Sequence, residues 1–237
     1  MSDDSAAGFA YLASQGLNLH GVLDCAGLPD PIVQSLSEDI DLSRFKRLIV
    51  MGNSGTGLWE ALRGGLNQSD NPIDDHSRAV AANFCTEHLP GADNLVVFPT
   101  HFTVPLQRLG ALLGWGEPSP LGVGISHNHG LWWAYRAVVL TSADLALTAV
   151  VNTPHACDSC IEKPCVANCP AQAVSFESSF DVDACFHFRA NENSPCVDRC
   201  LARMACPVGG AHRYPQELIQ YIYRFSMRTV RAYVSSQ

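Results

Sequence analysis

The chain has 237 residues, 47% of them hydrophobic and 16% charged, with a formal net charge of −8. That balance suits a globular core and argues against broad nucleic-acid binding, which depends on neutralising phosphates. No apolar stretch reaches the roughly eighteen residues of a membrane helix; the run over 143–151 is far too short.

In chain order, residues 6–15 have helical spacing and end at Gly16, a C-cap. Residues 17–23 alternate as a strand, 31–36 read as a short helix opened by Pro31, and 47–51 as a buried strand. A glycine-rich turn over 52–57 follows, then a helix over 58–62. Asp74 and Asp75 fall in the first turn of a helix predicted over 74–88. A strand over 95–98 and a helix over 104–113 come next, then two strands over 133–141 and 145–151 joined by Ser142, Ala143 and Asp144. This mixture is that of an α/β or α+β layer domain. Near the end of the chain Pro215 opens a helix. Leu218, Ile222, Phe225 and Thr229 mark one face and Arg224, Arg228 and Arg231 another, the pattern of a docking helix with a solvated basic face.

Eight of the ten cysteines lie between the layer domain and that helix, in two sets of four that each end in Cys-Pro. The first is Cys157-x2-Cys160-x4-Cys165-x3-Cys169-Pro170, and the second Cys185-x10-Cys196-x3-Cys200-x5-Cys206-Pro207. A tight cysteine run closed by Cys-Pro is the bacterial ferredoxin arrangement for iron–sulfur clusters. Structural zinc also takes four thiolates, usually from paired Cys-x2-Cys knuckles, a spacing that only Cys157 and Cys160 show. Disulfides need an oxidising compartment, and the Met-Ser-Asp-Asp start has neither the basic nor the apolar region of an export signal. Clusters lead, with zinc and disulfides left open. In two-cluster ferredoxins the last cysteine of each run crosses to the other cluster. By that rule Cys157, Cys160, Cys165 and Cys206 hold one [4Fe–4S] cluster, and Cys185, Cys196, Cys200 and Cys169 hold the other. Cys25 and Cys85 read as buried structural thiols.

Two further segments carry candidate cofactor-binding residues. The 52–57 turn can present backbone N–H groups, and Gly52 and Gly55 allow a flat cofactor to approach. It matches no standard nucleotide motif, and a tight strand–helix turn is the plainer reading. His127, Asn128 and His129, framed by Gly124 and Gly130, could bind a metal, relay protons or hydrogen-bond a cofactor, against a purely structural loop. His101 is a weaker candidate.

The order of these features resembles the catalytic core of the epoxyqueuosine reductases and, more distantly, the cobalamin-dependent reductive dehalogenases. The likeness rests on 16–22 (Gly-Leu-Asn-Leu-His-Gly-Val), on 45–52, on 103–108 (Thr-Val-Pro-Leu-Gln-Arg), on 121–128 and on both cysteine sets. It implies a nitroreductase-like α/β domain over 1–152, a bacterial two-cluster ferredoxin-like module over 153–212 and a docking helix over 213–237. It also implies that electrons from an external donor pass through two [4Fe–4S] clusters to cobalamin or another small redox ligand, held near His127, Asn128, His129, Gly52 and Gly55. Phe102 stands where the epoxyqueuosine reductases carry an acidic proton donor, and His127 where their loop carries lysine. No basic RNA-binding surface, helical-repeat extension or dehalogenase segment is evident, so neither named reaction is expected. The expectation is a cytoplasmic iron–sulfur redox protein of the cobalamin-dependent reductase type, without nucleic-acid or membrane partners. Its alternatives are a ferredoxin-like carrier without a second cofactor and a chaperone that reduces cobalamin.

Overall fold

A strand that is apolar at every position needs cover on both faces, and residues 48–51 (Leu-Ile-Val-Met) are built that way. The structure, a computed structural model, describes residues 3–66, 69–151 and 153–237. Met1 and Ser2 of the export-signal reading and the Asn152 boundary of the first expected domain lie outside them. The elements run α1 (Asp3–Ser14), β1 (Leu19–Asp24), α2 (Asp30–Ser37), β2 (Arg47–Ser54), α3 (Gly57–Leu62), α4 (Pro72–His88), β3 (Asn94–Phe98) and α5 (Leu106–Leu112). Then come β4 (Glu117–Pro118), β5 (Gly124–Ile125), β6 (Trp133–Thr141), α6 (Pro164–Ala167), α7 (Val182–Ala190), α8 (Leu201–Ala205) and α9 (Gln216–Ser235). The chain divides into two compact units, one of Met1–Trp115 with Trp133–Asn152 and one of Gly116–Trp132 with Thr153–Gln237.

The first unit is a mixed α/β layer structure on an antiparallel four-stranded sheet, ordered β1-β2-β6-β3. Alternate residues of β2 serve opposite cores. Ile49 and Met51 pack with Val22, Ala137 and Val139 against α1, α3 and α4 through Phe9, Leu12, Leu58 and Phe84. Leu48 and Val50 pack with Val97, Val138 and Leu140 against α2 and α5 through Ile32, Leu36 and Leu109. All four of these β2 side chains are fully buried, each contributing about 1.5–3 kcal/mol of transfer free energy. Gly16 ends α1 as its pattern predicts. Its φ is +86°, and a Cβ there would lie 2.5 Å from the Leu58 Cα, so only glycine fits.

Three local expectations need correction. The ladder does not stop at Met51: past a bulge at Met51/Gly52, β2 continues to Ser54. The continuation is pinned by Arg136 Nε, which donates to Asn53 Oδ1 at 2.6 Å, and by the Ser54 N–H, which donates to Asn18 Oδ1 at 2.8 Å. Residues 145–151 form no strand. They pass beside β1, where the Thr148 N–H donates to Val22 O at 3.0 Å and the Val22 N–H donates to Thr148 Oγ1 at 2.9 Å, so a side chain takes the place of the next rung. The face that α9 buries carries Leu218, Ile219, Met227 and Val230, while Phe225 is exposed under Arg228.

Apart from α7 and α9, the elements of the second unit are short. Its sheet is a two-residue pairing of β4 with β5, and α6 and α8 have four and five residues, far below the length at which a helix stands alone. Cysteines supply much of its apolar interior: Cys206 packs with Ile125, Leu131 and Ala156, and Cys165 with Val174 and Ala202. No helix among the described residues is long and apolar enough to cross a membrane.

Candidate metal centres

Local turns set the positions of the first four thiols. The Cys157 N–H donates to His155 Nδ1 at 3.0 Å, which leaves Nε2 to carry the proton and donate to Pro118 O at 2.9 Å. The Cys160 N–H donates to Cys157 O at 3.2 Å, closing the Cys-x2-Cys turn. Lys163 takes the left-handed conformation, φ 44°, and Pro164 then starts α6, which carries the buried Cys165. Cys206 ends α8. Two glycines back to back hold the chain just beyond it. A Cβ on Gly130 would lie 2.0 Å from Val208 O, and one on Gly209 2.2 Å from the His129 carbonyl carbon. Gly209→Ala is therefore expected to destabilise the second unit by about 2 kcal/mol or more and to reduce metal retention, measured by thermal unfolding and metal content.

The other four thiols gather around α7 and α8. Asp181 caps α7 by accepting from the Ala184 N–H at 2.8 Å, and Cys185 sits one turn in. Cys200 caps α8, its sulfur accepting from the Arg203 N–H at 3.4 Å. Arg189, 8% exposed, ties the neighbourhood together. Its Nε donates to Cys196 O at 3.1 Å, and Nη2 donates to Tyr223 O at 3.1 Å and to Ser226 Oγ at 2.9 Å on α9.

The eight thiols line two separate cavities. Cys157, Cys160, Cys165 and Cys206 border one, a narrow space of about 20 Å³ shared with Ile125 and Leu131. Cys169, Cys185, Cys196 and Cys200 border the other, about 200 Å³, with Phe180 and Arg189. The charge interactions divide the same way. Burial, joined by the charges of Cys206, Cys165 and Cys160, pushes the Cys157 thiol up to about 11. Burial likewise pushes Cys185 up to about 11, with Cys200, Cys169 and Cys196 adding to it and Arg189 opposing. Four thiols around a mostly apolar space suit the donor chemistry of an iron–sulfur cluster. Among the described residues no group of three or more His, Cys, Asp or Glu side chains is placed to hold a metal ion.

Thiols raised from 9.0 to about 11 in the folded metal-free protein stay protonated while the unfolded chain ionises. The folded state then binds more protons than the unfolded one, so stability falls as pH rises from 9 towards 11. Thermal midpoints of metal-free protein across that range are expected to drop. Metal loading removes the ligand cysteines' share of that dependence, because ligation requires the thiolate at every pH, and leaves the smaller share of Cys25 and Cys85.

The remaining nominated residues fall in both units. His127 and Asn128 are exposed, in the second unit. His129, in the same loop, packs its ring 4.5 Å from that of His212, and burial, then His212, lowers its pKa. Its Nδ1 is buried without a hydrogen-bond partner. Gly52 and Gly55 belong to the first unit. Gly52 is hemmed in, a Cβ there lying 2.8 Å from Ala134 O and 3.2 Å from the Trp115 ring, whereas Gly55, at φ 66°, faces open space. The open Gly55 turn leaves room for close approach of a flat ligand. Cys25 and Cys85 are buried in the sheet's two cores, where burial pushes both thiols to about 11. Arg189 and His155 escaped the sequence reading. His155, two residues before Cys157, could have been found from its position; a lone arginine on a short helix reads as a surface cation.

No protein-family model matches this chain, and no curated protein does. Solved structures do. An epoxyqueuosine reductase from Bacillus subtilis matches over 90% of this chain and 67% of its own, with a TM-score of 0.55 and 10% identity. Another epoxyqueuosine reductase, seen with an epoxyqueuosine-modified tRNA-Tyr stem loop, matches over 91% of this chain and 68% of its own, at 0.52 and 13%. A reductive dehalogenase whose structure suggests a mechanism for B12-dependent dehalogenation matches over 92% of this chain and 33% of its own, at 0.53 and 15%. The chain thus spans about two thirds of the first two and one third of the third. Its fold is the one that epoxyqueuosine reductases and reductive dehalogenases share.

Proposed function

We propose that the protein is an oxidoreductase component that relays single electrons through two [4Fe–4S] clusters, taking them from an external donor and delivering them to a small redox ligand of the first unit. The second unit is read as a two-cluster ferredoxin-like module and the first as a nitroreductase-like layer domain. The observation that carries the proposal is the crossed grouping of the thiols. Cys206 borders the cavity of Cys157, Cys160 and Cys165, and Cys169 borders that of Cys185, Cys196 and Cys200. When bound, a [4Fe–4S] cluster stores and releases one electron. The thiolates would hold it, the apolar linings exclude water, and Arg189 offsets negative charge at the second set.

A corrinoid is the ligand class that the fold favours, since a dehalogenase of this fold is described by B12-dependent chemistry. Paramagnetic resonance of the reduced, reconstituted protein tests the relay. Two spin systems broadened by mutual coupling are expected, and a single isolated signal or none contradicts it. Titration with free corrinoid under the same conditions separates a reductase or cobalamin-reducing chaperone, which shifts the visible spectrum, from a plain carrier, which does not.

A further inference from the structure

An open cavity of about 570 Å³ leads from the surface of the second unit to Cys157 and Cys160. Its rim departs from an ordinary solvated surface in two ways. Ile161, between the second and third cysteines of the first set, is 92% exposed, and Phe176 across the opening is 39% exposed. An isoleucine held in water is stabilised when a partner covers it. The second departure is charge. Asp158 lines the opening, Glu162 follows Ile161, Glu177 follows Phe176, and Glu117 lies 4.0 Å from the lining His155; all four carboxylates are exposed. Against them stands Lys163, whose ammonium is 4.1 Å from the Phe176 ring centre and so rests on the apolar patch.

An apolar spot ringed by charge of one sign is the anatomy of a transient redox interface, where charge guides the encounter and a small desolvated centre sets its geometry. We infer that this rim is the docking surface for the external electron donor. The occupant is a small one-electron redox protein with positive charge around its own exposed cofactor edge. This rests on the proposed relay: the donor gives up one electron and the set containing Cys157 and Cys160 accepts it, with no proton and no bond changing hands. The opening exposes these two cysteines to the partner, which keeps the transfer distance short.

Ferricytochrome c, a basic one-electron protein, is a suitable probe. Its binding to the oxidised, reconstituted protein is measured by titration at low and at 0.3 M salt. Weak, salt-sensitive binding is expected. Ile161→Ser should weaken it about tenfold and Glu162→Lys about fivefold, whereas Glu87→Lys, the same charge change on α4 of the first unit, should leave it within twofold. After dithionite reduction, electron transfer to the cytochrome should slow in the same two variants, while oxidation by neutral benzoquinone stays unchanged. Binding that is absent, insensitive to Ile161→Ser and Glu162→Lys, or weakened equally by Glu87→Lys overturns the docking surface. Iron content of the same samples reports separately on the relay. Protein that binds as described yet holds no iron sinks the relay and leaves the surface as a protein-docking site only.

Discussion

Cys206→Ser is expected to empty the set built on Cys157, Cys160 and Cys165, although Cys206 lies 41 to 49 positions away from them and only six from Cys200. Iron should fall from about eight atoms per chain to about four. The spin signal that persists on reduction should be that of the set containing Cys185, Cys196 and Cys200. The reason is geometric: the sulfur of Cys206 borders the first cavity with Ile125 and Leu131, and ionised Cys160 is among the charges it feels. Serine keeps the size but offers iron a poor ligand, and α6 and α8 are too short to hold the site open without it. Cys169→Ser should do the converse. If Cys206→Ser instead abolishes only the second signal, each run ligates its own cluster and the crossing is wrong.

The second large effect concerns Arg189. Arg189→Met keeps the stem that packs inside the second unit but removes the guanidinium. Cys196 O and Tyr223 O then lose their donor, and buried acceptors left unpaired cost about 1–3 kcal/mol each. Destabilisation of about 3 kcal/mol is expected in a denaturant titration followed by second-unit fluorescence. The charge matters separately from the fork. Because Arg189 counters ionised Cys185 and Cys196, its loss should make the second cluster harder to reduce, lowering its potential. Arg189→Lys should restore much of the potential and little of the stability, since an ammonium cannot make the three-way bridge of the planar fork. A loss below about 1 kcal/mol in Arg189→Met, with an unchanged potential, would show that α9 is held by its apolar face alone.

Much of the first unit was legible because its strands and helices bury whole faces. The continuous apolar run at 48–51 and the periodic helices announce themselves, and Gly16 marks a helix end. Where packing was not periodic, the reading slipped. Residues 145–151 look like a strand by composition, but β6 already lies between two neighbours, and the segment is tied to the sheet by Thr148 at the β1 edge and by Leu145 O, which accepts from Arg47 Nε, rather than by a ladder. Glycine at 52 suggested a turn, yet the residue is small because Ala134 O of β6 and the Trp115 ring press on it. On α9, Phe225 looked like part of the buried stripe, but Ile219, Met227 and Val230 line the packed side instead. The excursion of Gly116–Trp132 into the second unit left no mark in the pattern, since it depends on contacts made long after in the chain. The cysteine spacing carried chemical information that survives irregular structure, whereas the roles of Arg189 and the Gly130–Gly209 contact arise only from folding.

Two iron–sulfur clusters held in crossed sets by the eight thiols would leave a plain analytical signature. The measurement that meets it most directly is an iron and acid-labile sulfide count, with a visible spectrum, on protein purified and reconstituted without oxygen. A brown protein with about eight iron and eight sulfide per chain is expected. A colourless protein carrying zinc, or one whose eight thiols are found paired as disulfides, would contradict it.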